Sequence, residues 1–154
     1  MKSINNFLSI IFCLLLISCT GGNGRKKTTA GSLVGTWQLL STTIVENGQT
    51  TYTDYTKNQR MIKVINDTHF AFLKHEIKKD KADSNSFDAG GGRYKLTADQ
   101  YVEFLDFYKD GNWEGKTFTF RISFKKDTLI QTGIEKVDQA GVNRTITEKY
   151  IPLR

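Results

Sequence analysis

From Leu33 onward the chain alternates short runs rich in Thr, Ile, Val, Phe and Tyr with turn chemistry. This is the signature of strands, because β-branched and aromatic side chains suit a pleated, half-buried surface. The clearest run places Phe118, Phe120, Ile122 and Phe124 on one face and Thr119, Arg121 and Ser123 on the other, as expected of a ribbon between core and water. Phe70 and Phe72 likewise share a face. Turns are predicted at Glu46-Asn47-Gly48, Asn66-Asp67, Thr97-Ala98-Asp99, Lys109-Asp110-Gly111-Asn112, Lys126-Asp127 and between Asp138 and Asn143. They bound strands near 34–45, 50–56, 60–66, 68–75, 92–97, 100–108, 116–125, 128–137 and 143–152. No window carries the i, i+3, i+4, i+7 repeat of a helix able to cover a sheet. The expected fold is all-β: an antiparallel up-and-down barrel of eight to ten strands over residues 33–154, with a sandwich as the neighbouring possibility. Glu76 to Ala89, the longest polar stretch, reads as a loop at one rim.

The amino terminus follows another rule. Lys2 precedes an apolar run, Phe7 to Ile17, that is too short to cross a hydrocarbon core needing about 20 residues, and it reads as a signal peptide. The run ends in Leu16-Ile17-Ser18-Cys19, which resembles the lipobox of bacterial lipoproteins. The resemblance implies cleavage after residue 18 and acyl chains on Cys19, hence a lipid-anchored protein of a Gram-negative envelope. Because Thr20 is not an aspartate, the outer membrane is the expected address. Several acyl chains on one residue give durable anchoring where a single chain is marginal. Residues 19–32 lack large apolar side chains and have tether composition.

Composition alters the picture in one respect. The formal charge is +6, but Lys2 leaves with the signal and Arg25, Lys26 and Lys27 lie in the tether. The domain itself is close to neutral, and no nucleic-acid partner is expected. With Cys13 cleaved away and Cys19 acylated, no disulfide framework remains.

Gly35-Thr36-Trp37, at the start of the first strand, resembles the G-x-W opening of lipocalins and lipocalin-like domains. The resemblance implies that Trp37 closes one end of a barrel beneath an arginine, with Arg154 as the candidate and Arg144 as the alternative, through a cation–π contact of about 0.5–2 kcal/mol. Asn66-Asp67-Thr68-His69-Phe70, Gly90-Gly91-Gly92-Arg93-Tyr94, Tyr101-Val102-Glu103 and Asp127-Thr128-Leu129 are similar to lipocalin-like lipoproteins of Bacteroidetes envelopes. Thr53-Asp54-Tyr55 departs from the second lipocalin signature, which belongs late in the barrel.

Several chemistries are excluded. Gly111 to Thr117 has three residues between its glycines where a P-loop wants four, and a strand follows instead of a helix. His69 and His75, six residues apart on one strand, would stand roughly 20 Å apart and cannot share a metal. Gly90-Gly91-Gly92 has no nucleophile elbow beside it and reads as a loop joint or bulge. No cofactor or metal is expected. The remaining constellation is Arg144, Ile146, Glu148 and Tyr150 on one face of the last strand, and Tyr101, Glu103, Leu105 and Phe107 on one face of another. If both face inward, Tyr101, Glu103, Arg144 and Tyr150 form a binding site among apolar walls. The alternative is a set of edge-exposed charges, or a Glu103–Arg144 pair that serves only the fold.

The leading functional expectation is a non-catalytic carrier or sensor of a small lipophilic or amphipathic ligand. The second is a protein-interaction module with a filled barrel. An enzyme is third, and a carboxylate with a strongly shifted pKa inside a pocket would favour it.

Overall fold

The computed structural model describes residues 32–77 and 86–154. The signal segment, Cys19, nearly all of the tether and the centre of the Glu76–Ala89 loop lie outside the described residues.

Among the described residues nine strands follow one another: β1 (Gly35–Glu46), β2 (Gln49–Asp54), β3 (Gln59–Ile65), β4 (His69–Glu76), β5 (Phe87–Thr97), β6 (Gln100–Tyr108), β7 (Thr117–Lys125), β8 (Thr128–Val137) and β9 (Val142–Pro152). All pairings are antiparallel. One edge of β1 is divided, with Gly35–Gln38 pairing β3 and Ser41–Glu46 pairing β2. Its other edge pairs β9 from Trp37 to Val45. The circuit β1-β3-β4-β5-β6-β7-β8-β9 therefore closes on itself as an eight-stranded barrel, and β2 extends the rim. Closure removes the unpaired edges that make open sheets prone to aggregate.

Turn chemistry sets the hairpins. Asn47 and Gly48 both take positive φ, 51° and 75°, as the two-residue connection between twisted strands requires. Ala98 and Lys126 take φ of 54° and 55° in the two-residue connections of β5–β6 and β7–β8.

Two bulges rephase the walls. Against β9 the register slips between Leu39 and Ser41, so Leu39 points inward before the slip and Thr42 and Ile44 line the interior after it. Between β5 and β6 the register slips at Gly91/Arg93. This corrects the expected inward set on β6: Tyr101, Glu103 and Leu105 are buried, but Phe107 is 68% exposed and Tyr108 turns inward instead. The extra residue in β6 opposite Gly92 causes the reversal. A Cβ on Gly92 would sit 1.9 Å from the Phe104 carbonyl oxygen, so the bulge is possible only with glycine there. Strand β5 also starts earlier than expected, because Phe87 to Gly91 pair with β4 out to His75.

One end of the barrel is sealed. Leu33, Trp37, Leu39, Ile65, Phe70, Tyr101, Ile122, Leu129 and Tyr150 are buried there. Trp37 packs against Phe124 at 6.0 Å between ring centroids, and its Nε1–H donates to the Leu33 carbonyl at 2.8 Å. Here a second expectation is corrected. Arg154 is exposed and lies 3.7 Å from Asp127, not over Trp37, while Arg144 is at the opposite end, 5.8 Å over Trp113. Arg154 lies past the end of β9 and in water, and the Leu33 segment covers the indole in its place.

Candidate functional site

Inward alternation on eight strands leaves a cavity of about 220 Å³ toward the other end. Its apolar wall is formed by Ile44 (β1), Met61 (β3), Phe72 (β4), Leu105 (β6), Phe118 and Phe120 (β7) and Ile146 (β9). Its floor is charged. Lys63 of β3 is buried and donates to Glu103 of β6 at 2.7 Å and to the Gln131 side-chain carbonyl of β8 at 3.2 Å. Beneath it the rings of Phe70, Tyr101 and Tyr150 stand 5.5–5.8 Å from the ammonium, so aromatic faces supply part of the solvation that burial removes. Burial drives the Lys63 pKa down, but the Glu103 and Glu148 carboxylates outweigh it and the net displacement is upward, so Lys63 is charged.

Glu148 of β9 is the other floor carboxylate. It is buried, and its register partners are Thr42 on β1 and Gln131 on β8. Each of the other acidic residues in the cavity wall has a cation: Glu103 has Lys63, Glu135 has Arg144 at 2.6 Å, and Asp88 has Lys109 at 3.2 Å. Among the described residues Glu148 has none. Burial pushes its pKa up to about 7; Lys63 opposes the rise, and the Glu103 and Glu135 charges reinforce it.

Tyr101 and Tyr150 lie under the floor, fully buried. Desolvation raises both phenols far above their usual range, assisted for Tyr101 by Glu103 and for Tyr150 by Glu148. Each is near enough to its carboxylate to feel the charge, yet among the described residues neither hydroxyl reaches hydrogen-bond geometry, nor does the Gln131 amide nitrogen.

The mouth is aromatic and charged. Trp113, in the β6–β7 connection, lies 6.3 Å from Tyr108 and 5.8 Å from Phe118, and Arg144 covers it. Tyr55, Lys74, Asp88 and Glu135 complete the rim.

Of the four residues expected to bind ligand, Glu103 and Arg144 do line the cavity. Tyr101 and Tyr150 do not, because both are packed against the Lys63 ammonium beneath it. Glu103 and Arg144 are not partners of one another, since each has a closer ion pair on an adjacent element. Lys63, Glu135 and Trp113 escaped sequence reasoning. Strand β3 is apolar in both phases, so its lysine gave no sign of facing inward, and Trp113 sits in what reads as a plain turn.

His69 and His75 are exposed on the outer face of β4. Among the described residues no group of three or more His, Cys, Asp or Glu is placed to hold a metal. Among them, too, no helix is long and apolar enough to cross a membrane.

No family model matches the chain, and no curated protein matches it. Several solved chains are similar to it, two of them from Bacteroides. One is a lipocalin-like protein from Bacteroides uniformis ATCC 8492, 17% identical, with 80% of this chain and all of that chain covered and a TM-score of 0.49. The other is an uncharacterized protein from Bacteroides eggerthii DSM 20697, 13% identical, with 79% and 100% covered and a TM-score of 0.48. The assignment of this chain as a closed, eight-stranded antiparallel barrel of lipocalin-like form rests on its own hydrogen-bonded circuit.

Proposed function

We propose that this protein is a lipid-anchored envelope lipoprotein, held through Cys19 at the outer membrane, whose barrel binds one small amphipathic ligand without catalysis. The observation that carries the binding reading is the cavity itself: about 220 Å³, apolar around its sides, charged at floor and mouth, and sealed at one end. An engineered cavity of about 150 Å³ accommodates benzene, so this one suits a ring with a short substituent and is small for a sterol or tetrapyrrole. The interaction-module alternative supposed a filled barrel, and this interior is not filled. The described chain begins beside Trp37 at the sealed end. In this reading a tether from Cys19 would join the barrel opposite its mouth.

An acid–base enzyme is the second reading, favoured by the pKa of Glu148 near 7. Against it, no Ser, Cys or His lines the cavity among the described residues. Native mass spectrometry of the protein purified from its own host tests the binding reading. A retained small-molecule mass that disappears when Leu105→Trp fills the cavity supports it, and a folded protein with no adduct in either form rejects it. Labelling with a radioactive fatty acid, lost in Cys19→Ala, tests the anchor.

A further inference from the structure

We propose that the cavity selects a ligand with a protonated amine on a compact apolar or aromatic body, the ammonium docking on Glu148 at the floor. This inference rests on the ligand-binding reading and specifies its chemistry.

The selectivity comes from charge complementarity within the cavity. Among the described residues Lys63 is the single cation of the floor, and it faces two carboxylates. Its short hydrogen bonds go to Glu103 and Gln131, which leaves Glu148 without an ion pair among the described residues. An anionic ligand would meet Lys63 already neutralised by Glu103, and would meet repulsion from Glu148. At the mouth Arg144 is engaged by Glu135 and Trp113. Lys74 also faces the cavity, but it lies on β4 one inward position nearer the mouth than Phe72, away from the floor. A buried carboxylate is costly unless paired, and a ligand ammonium supplies the missing partner. Phe72, Phe118 and Phe120 offer apolar contact to its body, and the volume sets its size.

The groups around Glu148 fix the pH dependence. They are Lys63 on β3, Glu103 on β6, Glu135 and Gln131 on β8, Arg144 and Tyr150 on β9, Thr42 on β1, and Tyr55 in the β2–β3 connection. Below pH 7 Glu148 is largely protonated and cannot balance a cation; above it the carboxylate is ionised. An alkylammonium remains charged to roughly pH 10. Amine binding therefore tightens as pH rises from 6 to 8.

The test is calorimetric titration of the full chain with 2-phenylethylamine, 3-phenylpropanoate and 2-phenylethanol at pH 6 and pH 8. The expected result is preference for the amine, about tenfold tighter at pH 8 than at pH 6. At pH 6 a proton is released on binding, seen as a buffer-dependent heat. Glu148→Gln should weaken the amine at least tenfold and flatten its pH profile; should that variant not fold, the wild-type proton release decides alone. Equal or better binding of the carboxylate or the alcohol overturns the amine inference and leaves the cavity-ligand reading standing. Unchanged amine affinity in Glu148→Gln also overturns it. If none of the three probes binds, the inference falls, and the cavity reading falls with it only if the host-purified protein carries no adduct.

Discussion

The floor and the mouth of this barrel each contain a cation and carboxylates, but in opposite settings. At the floor Lys63 and Glu103 are nearly inaccessible and hydrogen-bonded at 2.7 Å. At the mouth Arg144 and Glu135 meet at 2.6 Å, with the arginine side chain about one quarter exposed. Water solvates the mouth pair if it separates, whereas nothing solvates half of the floor pair. The same ionic chemistry therefore holds the fold together at one end of the cavity and remains adjustable at the other. Among the described residues only the floor carries a carboxylate in excess.

The sharpest way to break this comparison is to remove one floor partner. Lys63→Met leaves Glu103 buried without its cation, a situation that typically costs about 3–5 kcal/mol. Denaturant melts should show a loss of that size, and the double variant Lys63→Met/Glu103→Leu should recover most of it, since paired removal leaves no new orphan charge beyond Glu148, which has no ion pair in either form. If the single variant melts like the wild type, the floor pair is not a structural element.

The excess carboxylate gives the next effect, and its sign is opposite. Glu148 has a folded pKa near 7 against an ordinary 4.5. Below pH 4.5 both folded and unfolded chains hold the proton, and there is no cost. Between the two values the unfolded chain ionises while the fold does not, so stability falls as pH rises and levels off above 7. Glu148→Gln removes this decline. It should match the wild type near pH 4 and exceed it at pH 8 by about 3 kcal/mol, measured as the difference between paired melts. A variant that gains stability while losing amine affinity would mark Glu148 as a residue retained for binding at the expense of the fold.

The contrast between the two ends also explains what could be read from the sequence. The strands and hairpins were legible because Phe118 to Phe124 alternate without exception and because Asn47-Gly48, Ala98-Asp99 and Lys126-Asp127 supply turn chemistry. Glu103 and Arg144 could be nominated for the cavity because each shares a face with apolar neighbours. Lys63 could not, since Ile62 and Val64 offer an equally apolar face and a lysine is the residue ordinarily assigned to water. Phe107 was misplaced because a bulge is created by pairing between two strands, and neither strand carries it in its own alternation. Glu148 was assigned its face correctly, but the excess charge that makes it interesting exists only once three other strands bring Lys63, Glu103 and Glu135 around it.

At the mouth, Arg144→Ala should cost about 1–2 kcal/mol in stability, less than Lys63→Met, because Arg144 and Glu135 are partly exposed and water can reach the carboxylate that is freed. Its larger effect should be on ligand entry, read as a change in association rate.

The smallest effect is expected outside the barrel's sealed end. Arg154 and Asp127 are both more than three-quarters exposed at 3.7 Å, so Arg154→Ala should change stability by less than about 0.5 kcal/mol. Trp37→Ala, a few residues away in space, removes a buried indole and its hydrogen bond to Leu33 and should cost about 3–5 kcal/mol. In a double-mutant cycle the two changes should add within about 0.5 kcal/mol. Coupling above 1 kcal/mol would mean that the arginine does cover the tryptophan in solution. The seal would then come from a cation on the ring, and the Leu33 segment would be free of that task.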